Sequence, residues 1–212
     1  MKNLMTYNKK ILEQFYHLEH QNEYSYPLLV SPKIKKYEPK IMYIGQETNT
    51  WLKHKNEKIP VEEIEDAYYF FLKNGLPSTL FWKFIEQSFN LDKKEIFENI
   101  IWCNSIICGK KYEKGTPKLS QEMIDMSIDY LVHLYYEFHP DYICIVAGPN
   151  NPYYFIIKAF LSTIKKDNIM YPTRKNFCQI NDSIIWTYHP NYLNRIGKIG
   201  STIVEVNKVR KK

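Results

Sequence analysis

Arginine is scarce in this chain: of 29 basic residues only Arg174, Arg195 and Arg210 carry a guanidinium. Lysine supplies the generic charge, so an arginine near a polar cluster draws notice as a planar fork suited to phosphate. Close cysteine pairs are absent as well. Cys103, Cys108, Cys144 and Cys178 show no Cys-x-x-Cys spacing. That argues against a four-cysteine iron–sulfur site and for reduced, buried thiols. No apolar run has the length of a membrane span. The opening "MKNLMTYNKK" has no apolar core of a signal peptide. Together these absences predict a cytoplasmic protein without membrane contact. Internal repeats and low-complexity linkers are missing too, so one domain over 1–212 is expected. Residues 1–38 would be its N-terminal helix and loop, and 207–212 its basic tail.

What remains is ample material for a core: 44% of the 212 residues are hydrophobic and 16% aromatic. The formal charge of +6 has the sign that suits a polyanionic partner. Periodicity predicts helices over 3–20, 61–73 and 79–89, the last capped by Ser78. Ser120 opens a further helix, with Ile124, Ile128, Leu131, Tyr135 and Phe138 on one face. Another starts at Pro152, and 198–209 is a last helix or strand. Apolar strands are expected at 40–44, 99–107, 142–147 and 183–188, with a short one at 177–180. Little alternation within three of these runs indicates burial on both faces. Strands alternating with helices predict an α/β fold, a three-layer α/β/α sandwich around a central four-stranded parallel sheet.

In such folds ligands bind at the carboxyl ends of the strands, and the polar clusters fall there. "GQETN" follows the first strand, Asn104 lies within the second, "GPNNP" follows the third and "HPNYLNR" the fourth. Glu47 could activate water or offset positive charge; the plainer account is a turn carboxylate or a helix-cap partner. Asn104 presents a donor and an acceptor side by side, matching a nucleobase edge; alternatively it is a structural amide tying down the next loop. His189, locked by Pro190, could donate to developing negative charge or shuttle a proton, or serve as a hydrogen-bonded loop histidine.

Four segments in order resemble the uracil-DNA glycosylase superfamily. "IGQETNTW" is similar to its strand followed by Gly-Gln-Asp-Pro-Tyr. "LPSTLFWKFIEQSF" resembles its Pro-Pro-Ser-Leu helix start, with Ser78 on the motif serine. "IWCNSII" resembles the strand bearing its base-reading asparagine, here Asn104. "YHPNYLNR" resembles its His-Pro-Ser-Pro-Leu loop, with His189 on the catalytic histidine and Leu193 on the wedge leucine. The resemblance covers 40–197. It implies a DNA glycosylase that extrudes uracil or a related damaged base and hydrolyses its N-glycosidic bond, with no metal or organic cofactor; a monomer is expected. Glu47 and His189 would be catalytic. Gln46 would contact the base through its backbone and Asn104 would read it, with Phe70, Phe71 or Trp82 stacking on the ring. Leu193 would fill the vacated stack. Ser78, Tyr192, Leu193, Arg195 and Lys198 would touch DNA.

The chain also departs from the family pattern. Glu47 is one methylene longer than the expected aspartate. Asn49 replaces the tyrosine that would exclude thymine, a wall Trp51 could supply instead. Asn191 and Tyr192 replace the Ser-Pro that grips phosphate, and Arg195 with Lys198 could take over that grip. Two rival readings follow: a protein that binds DNA or a modified base without cleaving it, and a hydrolase of free nucleosides or nucleotides.

Overall fold

Four short runs dominated by isoleucine become parallel strands. They are β1 (Ile41–Gly45), β2 (Ile100–Asn104), β3 (Tyr142–Ile145) and β5 (Ile184–Thr187), the last following β4 (Cys178–Asn181). The structure is a computed structural model describing residues 3–49, 51–52, 57–166 and 168–210. Lys211 and Lys212, the end of the expected basic tail, lie outside the described residues, as does the side chain of Arg210. The strand order is β2-β1-β3-β5-β4. Every residue of β1 and β2 is buried, which explains their unbroken apolar character.

The expected four-stranded parallel sheet is therefore corrected to a mixed sheet of five. The short run near 177–180 is a full edge strand, β4, antiparallel to β5. Asp182 and Ser183 alone separate the two, with Asp182 in the left-handed region at φ 48°. A two-residue hairpin can join only antiparallel neighbours, whereas parallel strands need a long crossover.

The helices are α1 (Leu4–His17), α2 (Val61–Asn74), α3 (Leu80–Phe89), α4 (Lys93–Asn99), α5 (Gln121–Phe138), α6 (Tyr153–Thr163), α7 (Pro190–Arg195) and α8 (Ile199–Arg210). Helix α5 packs on α6 and α1, while α3 packs on α8 and α7. No helix among the described residues is long and apolar enough to cross a membrane. Three readings of the sequence need adjustment. Helix α4 went unpredicted, although Asp92 and Glu95 form a reciprocal capping box at its start. The N-cap of α3 is Thr79, and Ser78 is an exposed residue before it. In α5 the fully buried stripe is Met123, Met126, Ser127, Tyr130, Leu131 and Leu134. Of the expected face, only Leu131 is in it. Ile124, Ile128, Tyr135 and Phe138 are half-buried, with Tyr135 flanking Phe160 of α6.

Candidate active site

Register sets the site. Cys103, Ile44, Ile145 and Trp186 form one row across β2, β1, β3 and β5. Past that row the chain runs from Ile44 to Glu47, from Ile145 to Gly148 and from Trp186 to His189. Three segments far apart in sequence thus leave the sheet at one height. They enclose an open cleft of about 400 Å³. Gln46, Glu47 and Asn49 line it from β1, Gly148 and Asn150 from β3, and Tyr188, His189, Asn191, Tyr192 and Arg195 from β5 and α7.

The loop after β1 is pinned from several sides. Gln46 offers its carbonyl to the Ser105 hydroxyl at 2.9 Å and to the Ile106 N–H at 2.9 Å. That carbonyl is therefore engaged within the chain, while Gln46 itself lines the cleft. Asn104 is 5% exposed and does not line the cleft. With its amide oriented to satisfy both ends, the nitrogen donates to the Cys103 carbonyl at 3.0 Å and the oxygen accepts from the Thr48 N–H at 3.2 Å. Its side chain stands against Gly45, where a β-carbon would come within 2.4 Å of it. Asn104 is thus a tether of the Glu47 loop in this conformation, the plainer of its two sequence readings.

Glu47 accepts a hydrogen bond from the Tyr153 hydroxyl through Oε2. It is neither a solvated turn carboxylate nor a cap. Burial raises its pKa above the ordinary carboxylate value, and the Tyr153 hydrogen bond opposes that rise. Tyr153 is the first residue of α6 and also bonds Thr116 at 2.6 Å. The phenol is held protonated, first by burial and then by the neighbouring carboxylate.

His189 caps α7, where Pro190 fixes the first turn. Its Nδ1 accepts from the Asn191 N–H at 3.2 Å, which places the neutral ring's proton on Nε2. Burial lowers its pKa to about 4, so the imidazole is uncharged at neutral pH. The Phe81 ring lies 5.9 Å from it at 24°, close to parallel. Phe81 is held there because Tyr43 donates to its carbonyl at 2.8 Å.

The expected wall and stacking residues are placed differently. Trp51 stands edge-on to Phe71 and Trp102, each at 5.6 Å, inside an aromatic cluster that also takes in Trp82. Phe70 points away from this cluster's core and is 55% exposed. Phe81, not one of the three aromatics proposed to stack, is the ring beside the histidine.

On the rim, Tyr192 packs against Tyr188 at 4.9 Å, and the Arg195 guanidinium sits 5.3 Å above the Tyr192 ring. Arg174 lies near enough to Tyr188 to favour its ionised form, against the larger effect of burial. Of the scarce arginines, Arg195 lines the cleft. Lys198 is exposed, with Nζ 5.9 Å from the Phe177 ring. Leu193 is corrected: it is 0% exposed, a core residue of α7 and no surface wedge. The "HPNYLNR" segment read as a loop is a helix, and its helical repeat turns Leu193 inward while Tyr192 and Arg195 face out.

Tyr153, Phe81, Thr116 and Tyr188 were missed from sequence. Tyr153 carried a usable signal, since it directly follows the "GPNNP" turn at the end of β3. All four cysteines are buried and free, and burial raises the thiol pKa of Cys178 to about 12. Among the described residues no group of three or more His, Cys, Asp or Glu side chains is placed to hold a metal ion. Of the neighbouring lysines Lys33, Lys35 and Lys36, Lys33 pairs with Asp66 at 2.5 Å and Lys35 with Glu137 at 2.6 Å, while Lys36 lies over the Tyr37 ring. Compared with known proteins, the chain matches no family model, no curated protein and no solved structure.

Proposed function

We propose that the chain hydrolyses the N-glycosidic bond of uracil or a related damaged base extruded from DNA, on a three-layer α/β/α sandwich related to the uracil-DNA glycosylases. One observation carries this reading: Glu47 and His189, delivered by the ends of β1 and β5, line the same open cleft with Arg195 at its rim. Bond cleavage leaves a cationic sugar and an anionic base. Glu47 balances the first and takes a proton from the attacking water, as carboxylates do in glycoside hydrolysis. Its buried setting makes it a better base than an ordinary glutamate. His189 donates from Nε2 to the base's oxygen. An imidazole already neutral at pH 7 keeps that proton in place through the reaction. Arg195 at the cleft rim holds backbone phosphate, with Lys198 three residues further along the chain as a second cation.

The test uses end-labelled oligonucleotides, single- and double-stranded, carrying one uracil or one other lesion, followed by alkali. Strand breaks that disappear in Glu47→Gln and His189→Ala support the reading. Base release from free nucleosides alone would move the substrate to small molecules.

A second reading has its own support. With the Asn104 amide oriented to satisfy both ends, one of its donors and its acceptor are bonded to this chain's backbone, and Asn104 does not line the cleft, so the residue expected to read uracil is engaged in holding the loop. A protein that binds DNA through its backbone without reading or cleaving the base accounts for that, and retained DNA binding with no breaks would select it.

A further inference from the structure

Glu47 is one methylene too long for the position its family resemblance gives it, and Tyr153 meets it there. Carboxylate oxygen Oε2 accepts from the Tyr153 hydroxyl. Tyr153's single proton is thereby committed, so the 2.6 Å contact with Thr116 must have Thr116 as donor. A chain of two hydroxyls therefore runs from the 109–118 loop to the carboxylate. Oε1 has no hydrogen-bond partner among the described residues, and Glu47 lines the cleft.

We propose that Tyr153, backed by Thr116, is the positioning residue of Glu47, fixing one carboxylate oxygen against α6 and leaving the other to face the cleft. Tyr153 is buried at the start of α6 and its backbone is held by the helix. Its hydroxyl therefore cannot follow the carboxylate if Glu47 swings. The longer side chain gains the reach to α6 and loses the freedom that the extra methylene brings. The other ionisable groups around the cleft are Tyr188, His189, Tyr192 and Arg195. Among the described residues, only Tyr153 hydrogen-bonds to the carboxylate. The hydrogen bond favours the charged form, opposing the burial that favours the neutral one.

The consequence for catalysis rests on the glycosidic reading above, but the arrangement can be read without any cleavage. The full chain is labelled with ¹³C at glutamate carboxyls, and Glu47 is assigned by the signal lost in Glu47→Gln. Tyr153→Phe removes one oxygen and should raise the Glu47 titration midpoint by about one pH unit. Thr116→Val should raise it by less, because it weakens the Tyr153 donor only indirectly. A midpoint unchanged in Tyr153→Phe overturns the proposal; should that variant fail to fold, an unchanged midpoint in Thr116→Val does so. If the native chain cleaves DNA, the acid limb of its rate profile should move to higher pH in Tyr153→Phe with KM little altered. A raised midpoint together with no cleavage by the native chain sinks the glycosylase reading alone.

Discussion

Gly109 lies directly against the backbone of Thr48: a β-carbon on it would stand 1.9 Å from the Thr48 carbonyl oxygen. The glycine is itself held by Ser25, whose hydroxyl accepts from its N–H at 2.9 Å and whose own N–H donates to its carbonyl at 2.8 Å. The turn carrying Glu47 is thus seated on a surface that tolerates no side chain. Gly109→Ala must push either the Glu47 loop or the 109–118 loop aside. The expected cost is about 3 kcal/mol, the upper range for overpacking, seen as a drop in Tm on the order of 10 °C. Any cleavage activity should fall more than the stability loss explains.

His189 should imprint its low pKa on stability. The folded chain takes up this proton only near pH 4, whereas an exposed histidine does so near 6.5. Between those values the unfolded state binds the proton and the folded state does not, so stability falls as pH drops from 6.5 to about 4. The loss attributable to this group is on the order of 3 kcal/mol. Denaturant unfolding at pH 7 and pH 4 should show a smaller acid loss in His189→Gln than in the native chain. In the proposed reaction, His189→Ala should cost about 10²–10³ in kcat.

Asn104→Ala separates a tether from a base reader. Loss of the amide leaves the Thr48 N–H and the Cys103 carbonyl without that partner, at about 1–3 kcal/mol. Thermal unfolding should detect this loss without any substrate. A variant as stable as the native chain that has lost base binding would return Asn104 to the reading role.

If the chain binds DNA as proposed, Arg195→Ala should weaken that binding across sequences and reduce the salt slope of log K by about one, as expected for one lost phosphate contact. Its guanidinium rests on the Tyr192 ring in an exposed position, so little change in Tm is expected. A fluorescence-anisotropy titration at two salt concentrations measures both quantities.

The sheet was legible because β1, β2, β3 and β5 are short isoleucine-rich runs with no second face to polarise. The edge strand β4 was visible only as a short run, because its outer residues Ile180 and Asn181 are exposed and break the pattern. Glu47 and His189 could be paired from sequence, since both follow strand ends and topology brings such ends together. Asn104 and Leu193 could not be resolved in the same way. A polar residue ending a strand, and a leucine after a proline, read alike whether they turn inward or outward. The hydrogen bonds of Thr48 and the helical repeat of α7 decide the matter, and both are tertiary. Tyr153 bears on Glu47 through one long-range contact that no local pattern encodes.

Burial of Leu193 has a consequence for how a nucleic acid would be handled. With Leu193 riveted into the interior, α7 presents Tyr192 and Arg195 on an unyielding ledge, and no aliphatic wedge at position 193 would fill a gap left in a base stack. A nucleotide leaving a well-paired duplex would receive no compensation from Leu193 for the lost stacking. Slack strands, frayed ends and mispaired positions, where that loss is already incurred, would be the favoured places to work.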